Sequence, residues 1–421
     1  MLAGFTTPPV VQIAPPSVSR ARNIAHGAND LYWFILPPVL PLILQEFGLR
    51  YAAAGGMIAV FLTVIAAASM LTGRLSDRMH RGTLIALGFL LASAAVGAAA
   101  LMPLLPLVVA CLVIAAVGVS TYHPAAYASI HDAGHGNGRT YGAFEASGSL
   151  AIILMLAVQG VLAGRAGWRE LILVGAAPGA VVGLLFLLAP GGFTWEQRRA
   201  TAAPRAPRTG GARRQGEAPS AATGGIVLPA LFVVGVMLRV LGLNGLTNFV
   251  PTYLVRAVGM GQGISSFAVG FTFLGGICGA MIMGRVADRR GPFPVFLLCS
   301  GLLVPLLPLL GLRMAPALYP AALVLVGFCN SACLPSQNMI LGELSGSRSK
   351  GSVFGVLMGA TALTSAVSPL AFGLIADAAG LQAAVRACVI PVAAGWLVVL
   401  AVRRTLSHAG SPERSSSEAS A

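Results

Sequence analysis

Charge is what this sequence has least of. Only 10% of its 421 residues are Asp, Glu, Lys or Arg, where soluble globular chains carry roughly 25%. A water-soluble fold is excluded. Lysine is almost missing, with Lys350 alone among 27 basic residues. The six cysteines (Cys111, Cys278, Cys299, Cys329, Cys333, Cys388) lie inside apolar runs and show neither a disulfide framework nor a zinc-ribbon spacing. They are expected to be buried small hydrophobes. No Gly-x-x-x-x-Gly-Lys-Ser/Thr loop occurs, so ATP hydrolysis within the chain is not expected. No helix-turn-helix, zinc-finger or aromatic-basic pattern is present, so the net charge of +14 does not point to nucleic acid. The first twenty-odd residues hold Pro8, Pro9, Pro15 and Pro16 without an apolar core. They do not read as a cleavable signal peptide, and the first helix is expected to act as its own insertion signal.

What the sequence does have is apolar length. Hydrophobic residues make up 56%, about 236, and mean hydropathy is +0.83; twelve spanning helices of ~20 residues need about 240. The runs are continuous rather than alternating, which selects helices over a barrel. Helices are expected near 25–47, 53–73, 83–101, 106–129, 140–163 and 168–190, then near 225–256, 264–284, 293–312, 315–340, 351–376 and 382–403. The expected fold class is all-α membrane, in two six-helix halves at 25–190 and 225–404. Around them lie an N-terminal segment (1–24), a linker (191–224) rich in Arg, Pro, Gly and Ala, and a polar tail (405–421).

Arginine sets the expected orientation. With both termini cytoplasmic, twenty basic residues fall inside and six outside (Arg50, Arg165, Arg169, Arg256, Arg313, Arg386), with Arg239 left within helix 7. The expectation is a multi-pass protein of a bacterial inner (cytoplasmic) membrane. The halves also repeat each other. Gly73-Arg74-Leu75-Ser76-Asp77-Arg78 matches Gly284-Arg285-Val286-Ala287-Asp288-Arg289 at an offset of 211, and Gly142, Gly160 and Gly167 match Gly355, Gly373 and Gly380 at 213. Two separated blocks with nearly one offset indicate six plus six helices about an axis along the membrane normal, a transporter pattern.

The repeated segment, Gly73 to Gly82 with Asp77, Arg78 and Arg81, and again Gly284 to Gly291 with Asp288 and Arg289, resembles the signature loop of the major facilitator superfamily. The resemblance covers nearly the whole chain and implies a twelve-helix transporter whose 2–3 and 8–9 loops gate a conformational change. His80 stands where that signature has Gly, which predicts a less tight first turn. A finer likeness lies in His26-Gly-Ala-Asn29-Asp30, in Tyr122-His123-Pro124, and in Arg239 followed by Asn244, Asn248 and Phe249-Val-Pro251. These resemble the fosmidomycin-resistance branch, drug exporters thought to exchange drug for proton. Helix 4 lacks the Arg common in drug–proton antiporters, and helix 5 lacks the Gly-Pro of their antiporter motif, so export by antiport is implied by the branch alone.

Ionisable groups within a span are functional candidates because leaving water costs several kcal/mol. Here they are His26, Asp30, His123, Glu145 and Arg239. Aligning Pro41 with Pro251 sets Arg239 opposite Asn29, so Asp30 and Arg239 are expected either to face each other as a switchable pair or, for Asp30 and His26, to cap helix 1 at the cytoplasmic mouth. Glu145 reads as a proton carrier or as a partner of Arg139 or Arg78, and His123-Pro124 as a relay, a ligand contact or a kink. Asn29, Asn244 and Asn248 are candidate cavity groups, Asn330, Gln337 and Asn338 interhelical glue or contacts, and Tyr32, Trp33 and Tyr122 aromatic walls or packing. Pro37, Pro38 and Pro41 should kink helix 1. The favoured reading is a proton-coupled secondary transporter, exporting a drug or an amphipathic or anionic metabolite; a proton-coupled importer is the alternative. A divalent-metal transporter using His26, Asp30, His123 and Glu145 is the lesser one, since three helices would have to converge. An enzyme is not expected, nor a cofactor or resident metal. The expected partners are a small-molecule substrate, protons and the bilayer, and a monomer is expected.

Overall fold

The structure is a computed structural model that describes residues 16–132, 138–188, 227–344 and 350–409. The linker expected at 191–224, Arg348, most of the C-terminal tail and the side chains of Asp77 and Arg139 lie outside the described residues. Twelve spans among the described residues are long and apolar enough to cross a bilayer. They are α1 (Arg20–Glu46), α2 (Tyr51–Ser76), α3 (Arg81–Leu101), α4 (Leu105–Tyr127), α5 (Gly142–Leu162), α6 (Trp168–Leu188), α7 (Val227–Arg256), α8 (Gln262–Arg290), α9 (Pro292–Leu310), α10 (Pro316–Leu344), α11 (Gly359–Ala379) and α12 (Leu381–Ser407). Leucines, valines and isoleucines on the outer faces are widely exposed, as lipid-facing side chains are.

Proline explains where the helices break and what repairs them. In α1 the first helix, Pro16–Trp33, stops before a 3-10 turn at Pro37–Val39, and Leu40–Glu46 completes the crossing. In α4 the helix Leu105–Val119 ends one turn before Pro124, and Tyr122–Asp132 resumes it. Pro124 has no N–H, so the Ser120 carbonyl loses its donor four residues on. The Thr72 hydroxyl of α2 supplies one at 2.9 Å. Pro369 does the same to Ser365 in α11, and there Asn244 Nδ2 of α7 donates at 2.7 Å. In a bilayer an unpaired carbonyl costs several kcal/mol, so each repair also fixes a helix pair.

The internal repeat is visible as packing. Gly73 lies against Pro124 and Gly284 against Pro335, the same contact 211 residues apart in both members. Gly73 to Arg78 and Gly284 to Arg290 lie on the last turns of α2, whose helix runs Tyr51–Arg78, and of α8, and Arg81 and Gly82 open α3, rather than lying in loops as expected. His80 replaces the expected Gly without loosening the turn: its ring caps α3, accepting from the Thr83 N–H. Gly291, at φ 87°, supplies the left-handed turn in the second copy. Cys278 is exposed and Cys111 half-buried, which corrects the expectation that every cysteine is buried; the other four are.

The two halves, α1–α6 and α7–α12, meet along α2 with α11 and along α5 with α8. Small residues allow the approach: Gly55 on Pro369 O, Gly373 on Tyr51 O, and Gly160 on Gly263 and Phe267. Among the described residues, the polar contacts between the halves cluster at the end of the bundle remote from Arg20 and Ser407. Tyr51 N and Ala52 N donate to the two carboxylate oxygens of Asp377 at 2.8 and 2.9 Å. Arg256 donates to Pro41 O at 3.1 Å, and Gln262 to Pro38 O. These contacts tie the two halves together at the far end.

Candidate functional site

Asp30 lies ten residues into the first span, Arg20–Glu46, about 15 Å along the helix. One turn earlier on the same face of α1, His26 points its Nε2 at Asp30 Oδ1, 3.5 Å away. The resumed segment of α4 brings His123 Nε2 to 3.6 Å from the same oxygen. Three of the four groups weighed together as possible metal ligands therefore converge, from two helices, and Glu145 is not among them. His26 is buried, while Asp30 and His123 keep about a fifth of their side-chain surface exposed, at 20% and 23%. The cluster is thus mostly, but not wholly, enclosed by protein.

Each member is held by identifiable neighbours. The His26 ring stacks on Phe144 at 3.7 Å between centroids, and Nδ1 lies 3.4 Å from Ser147 Oγ. That hydroxyl has one proton, donated to Phe144 O at 2.6 Å, so toward His26 it can only accept. Nδ1 therefore carries the imidazole proton, and in the neutral ring Nε2 turns a lone pair toward Asp30. A lone pair facing a carboxylate oxygen calls for positive charge between them. Gly148 makes room for the carboxyl, since a Cβ there would overlap Asp30 Oδ2 and crowd the His26 ring. Asn29 donates to Val119 O at 3.1 Å, a carbonyl at the break in α4, and so locks α1 to the strand of helix that presents His123.

Trp33, 37% exposed, packs its edge on His123 and donates from Nε1 to Asn29 Oδ1 at 3.2 Å. Its ring lies beside the cluster with part of its surface free. The other two aromatic walls are corrected. Tyr32 is fully buried, its hydroxyl on Ser93 at 2.6 Å and on Ala176 O, with its ring against Gly179. Tyr122 is buried too, donating to Arg22 O at 2.6 Å. Both are packing residues, because a hydroxyl taken into hydrocarbon is tolerated only with an acceptor.

Glu145 is exposed and accepts from Tyr127 OH at 3.0 Å; it stands beside the cluster, not in it. Arg239 is 3% exposed and does not pair with Asp30. Its Nη1 donates to Asn330 Oδ1 at 2.5 Å and its Nη2 to Gln337 Oε1 at 3.2 Å, with the Phe296 ring 5.9 Å from Cζ and Nε without a partner. The expected charge pair across the pathway is absent in this conformation, because two α10 amides are nearer. The α1–α4 junction of one half thus holds an acid between imidazoles, and the pseudo-equivalent α7–α10 junction holds a cation among amides. Asn244 repairs α11, as above, and Asn248 bonds back to Asn244 O at 2.8 Å; both are structural here. Of the gating residues, Arg78, Asp288 and Arg289 are exposed and Arg81 is buried. Ser147, Gly148 and Asp377 were not singled out from sequence. Asp377 falls one residue beyond the helix expected at 351–376, and Ser147 and Gly148 become visible only once α5 is laid against α1.

Twelve spans in two repeated halves, tied together at one end and holding an ionisable cluster within the first half, define a membrane transporter. The chain matches the Major Facilitator Superfamily over residues 23–322 and 232–420. It belongs to that family, a class of transporters and not of enzymes. No curated protein sequence matches it. Solved structures agree in fold. A bacterial homologue of the human lysosomal transporter Spinster, inward-facing and unoccupied, is 16% identical at a TM-score of 0.76, covering 95% of this chain and 100% of its own. The nucleoside transporter NupG is 12% identical at 0.67, covering 92% and 99%. A D-xylose–proton symporter is 13% identical at 0.67, covering 92% and 96%.

Proposed function

We propose that this chain is a proton-coupled secondary transporter that moves a small organic molecule by alternating access, in the direction of export. The observation that carries the reading is Asp30, ten residues into the first span, with the Nε2 atoms of His26 and His123 within 3.6 Å of one of its oxygens. Such a cluster holds a proton when the carboxylate faces two imidazoles and gives it up when the halves rearrange. Substrate sits beside it, against Trp33. The amide-held guanidinium of Arg239, which has no carboxylate partner, is the group that receives an anionic substituent. The near end, with Arg20, Arg78, Arg289 and Arg404, faces the cytoplasm, as the arginine distribution favours. The molecule works as a monomer in a bacterial inner membrane.

Export and a drug-like substrate rest on the resemblance of His26 to Asp30, His123-Pro124 and Arg239 to the fosmidomycin-resistance branch. Import by symport is the competing direction. Fosmidomycin is the first probe. An efflux-deficient host expressing the chain should survive higher doses, and Asp30→Asn should lose that protection while reaching the membrane at the same level. Full protection by Asp30→Asn would refute the coupling role. Drug accumulation in the host would instead establish import.

A further inference from the structure

We propose that His26, Asp30 and His123 form a binding site for one divalent transition-metal ion of the zinc type. One ligand atom from each lies within 4.8 Å of the others. Tetrahedral zinc, with bonds near 2.0–2.1 Å, sets its ligands about 3.3 Å apart. The two separations from Asp30 Oδ1 are 3.5 and 3.6 Å, and the two imidazoles, within 4.8 Å of each other, have to draw together by a side-chain rotation for an ion to bridge all three. Two imidazoles and a carboxylate with a fourth position open are the donor set that zinc and cobalt(II) accept and that magnesium and calcium do not. Asp30 and His123 keep 20% and 23% of their side-chain surface exposed, so the cluster is not fully enclosed by protein.

The surroundings fit ligation in particular. His26 offers Nε2 because Nδ1 is engaged with Ser147 Oγ, which is how a metal-bound imidazole is oriented by its outer partner. The Phe144 ring holds it flat at 3.7 Å. His123 is braced by the edges of Trp33 and His26, at 5.6 and 5.3 Å. Convergence of three helices, the obstacle to a metal reading of the sequence, does not arise, because α1 and α4 supply all three ligands and Glu145 is engaged with Tyr127. Both helices belong to one half, so the ion does not staple the halves together. It fills the cluster instead. Binding stands on ligand geometry alone; the block of transport that follows rests on the proton-coupling reading.

The test uses the full chain, purified in nanodiscs with any histidine tag removed, and cobalt(II) and zinc(II) as probes. Wild type should take up one cobalt per chain with the intense visible bands of a tetrahedral site, and zinc should displace it. His123→Ala and Asp30→Asn should each weaken binding at least tenfold, and Ser147→Ala should weaken it while leaving the bands. His80→Ala, in a cap remote from the cluster, should bind as wild type. Size-exclusion profile and melting temperature establish that each variant is folded. Binding by folded His123→Ala equal to wild type, or stoichiometry well below one, would overturn the proposal. If metal does not bind but Asp30→Asn loses proton-driven transport, the metal site fails and the coupling reading stands. If metal binds at the cluster and Asp30→Asn still couples, the reverse holds.

Discussion

Asp377→Asn should open the far end. Tyr51 and Ala52 are the first residues of the α2 helix, whose own N-cap, Arg50, makes no side-chain cap. Their N–H groups are satisfied by Asp377 of the other half, at 2.8 and 2.9 Å, and Asp377 is 8% exposed. A hydrogen bond to a charged group contributes about 1.5–3 kcal/mol, and a carboxylate at a helix N-terminus adds about 0.3–1. Asparagine keeps one neutral acceptor, worth roughly 1 kcal/mol. Two such bonds and the helix-terminus contribution, less that one acceptor, shift the equilibrium by about 2–6 kcal/mol toward an open far end, roughly 30-fold to ten-thousand-fold at 1.4 kcal/mol per decade. Arg50, 3.5 Å from the same carboxylate but 81% exposed, should contribute little, as exposed ion pairs do. Spin labels at Arg165→Cys and Arg313→Cys, both exposed and on opposite halves at that end, read the distance in a Cys278→Ser background. Asp377→Asn should populate a longer distance and Arg50→Ala should not. An unchanged distribution in folded Asp377→Asn, or an equal effect of Arg50→Ala, would refute this account of the closure.

Other outcomes follow from the same contacts. Gly148→Ala should insert and fold yet lose at least tenfold in transport, because its Cβ displaces Asp30 and His26; uptake rates in proteoliposomes check this. Tyr122→Phe removes a buried bond to Arg22 O, a carbonyl that keeps its helical donor, and should cost about 0.5–1.5 kcal/mol, seen as a lower melting temperature with substrate affinity unchanged. Trp33→Ala should do the opposite, weakening substrate binding with little thermal effect. Thr72→Val should destabilise as Tyr122→Phe does, since it leaves Ser120 O unpaired beside Pro124.

Periodicity and arginine placement made the architecture legible, because a bilayer forces length and apolarity on every span. The 211-residue repeat between Gly73 and Gly284 returned as a shared glycine–proline contact. The site was legible in residue type more than in geometry. His26 and Asp30 share a helix face by spacing alone, but the approach of His123 depends on how α4 resumes after Ser120. The pairing of Asp30 with Arg239 failed because a repeat alignment says which residues are equivalent, not which α10 amides stand nearer. Asn244 read as a cavity group because the carbonyl it serves, Ser365, is orphaned by a proline on another helix. Asp377 went unnoticed because its partner is a backbone, which carries no signature.

The central claim is that Asp30 carries the coupling proton. Proteoliposomes containing wild type or Asp30→Asn, with fosmidomycin or whichever solute the survival screen identifies, test it most directly. Solute movement is followed with an imposed pH gradient and, separately, as exchange at equal pH. Wild type should concentrate solute only with the gradient, and Asp30→Asn should still exchange but no longer concentrate. Gradient-driven accumulation by Asp30→Asn equal to wild type would contradict the account.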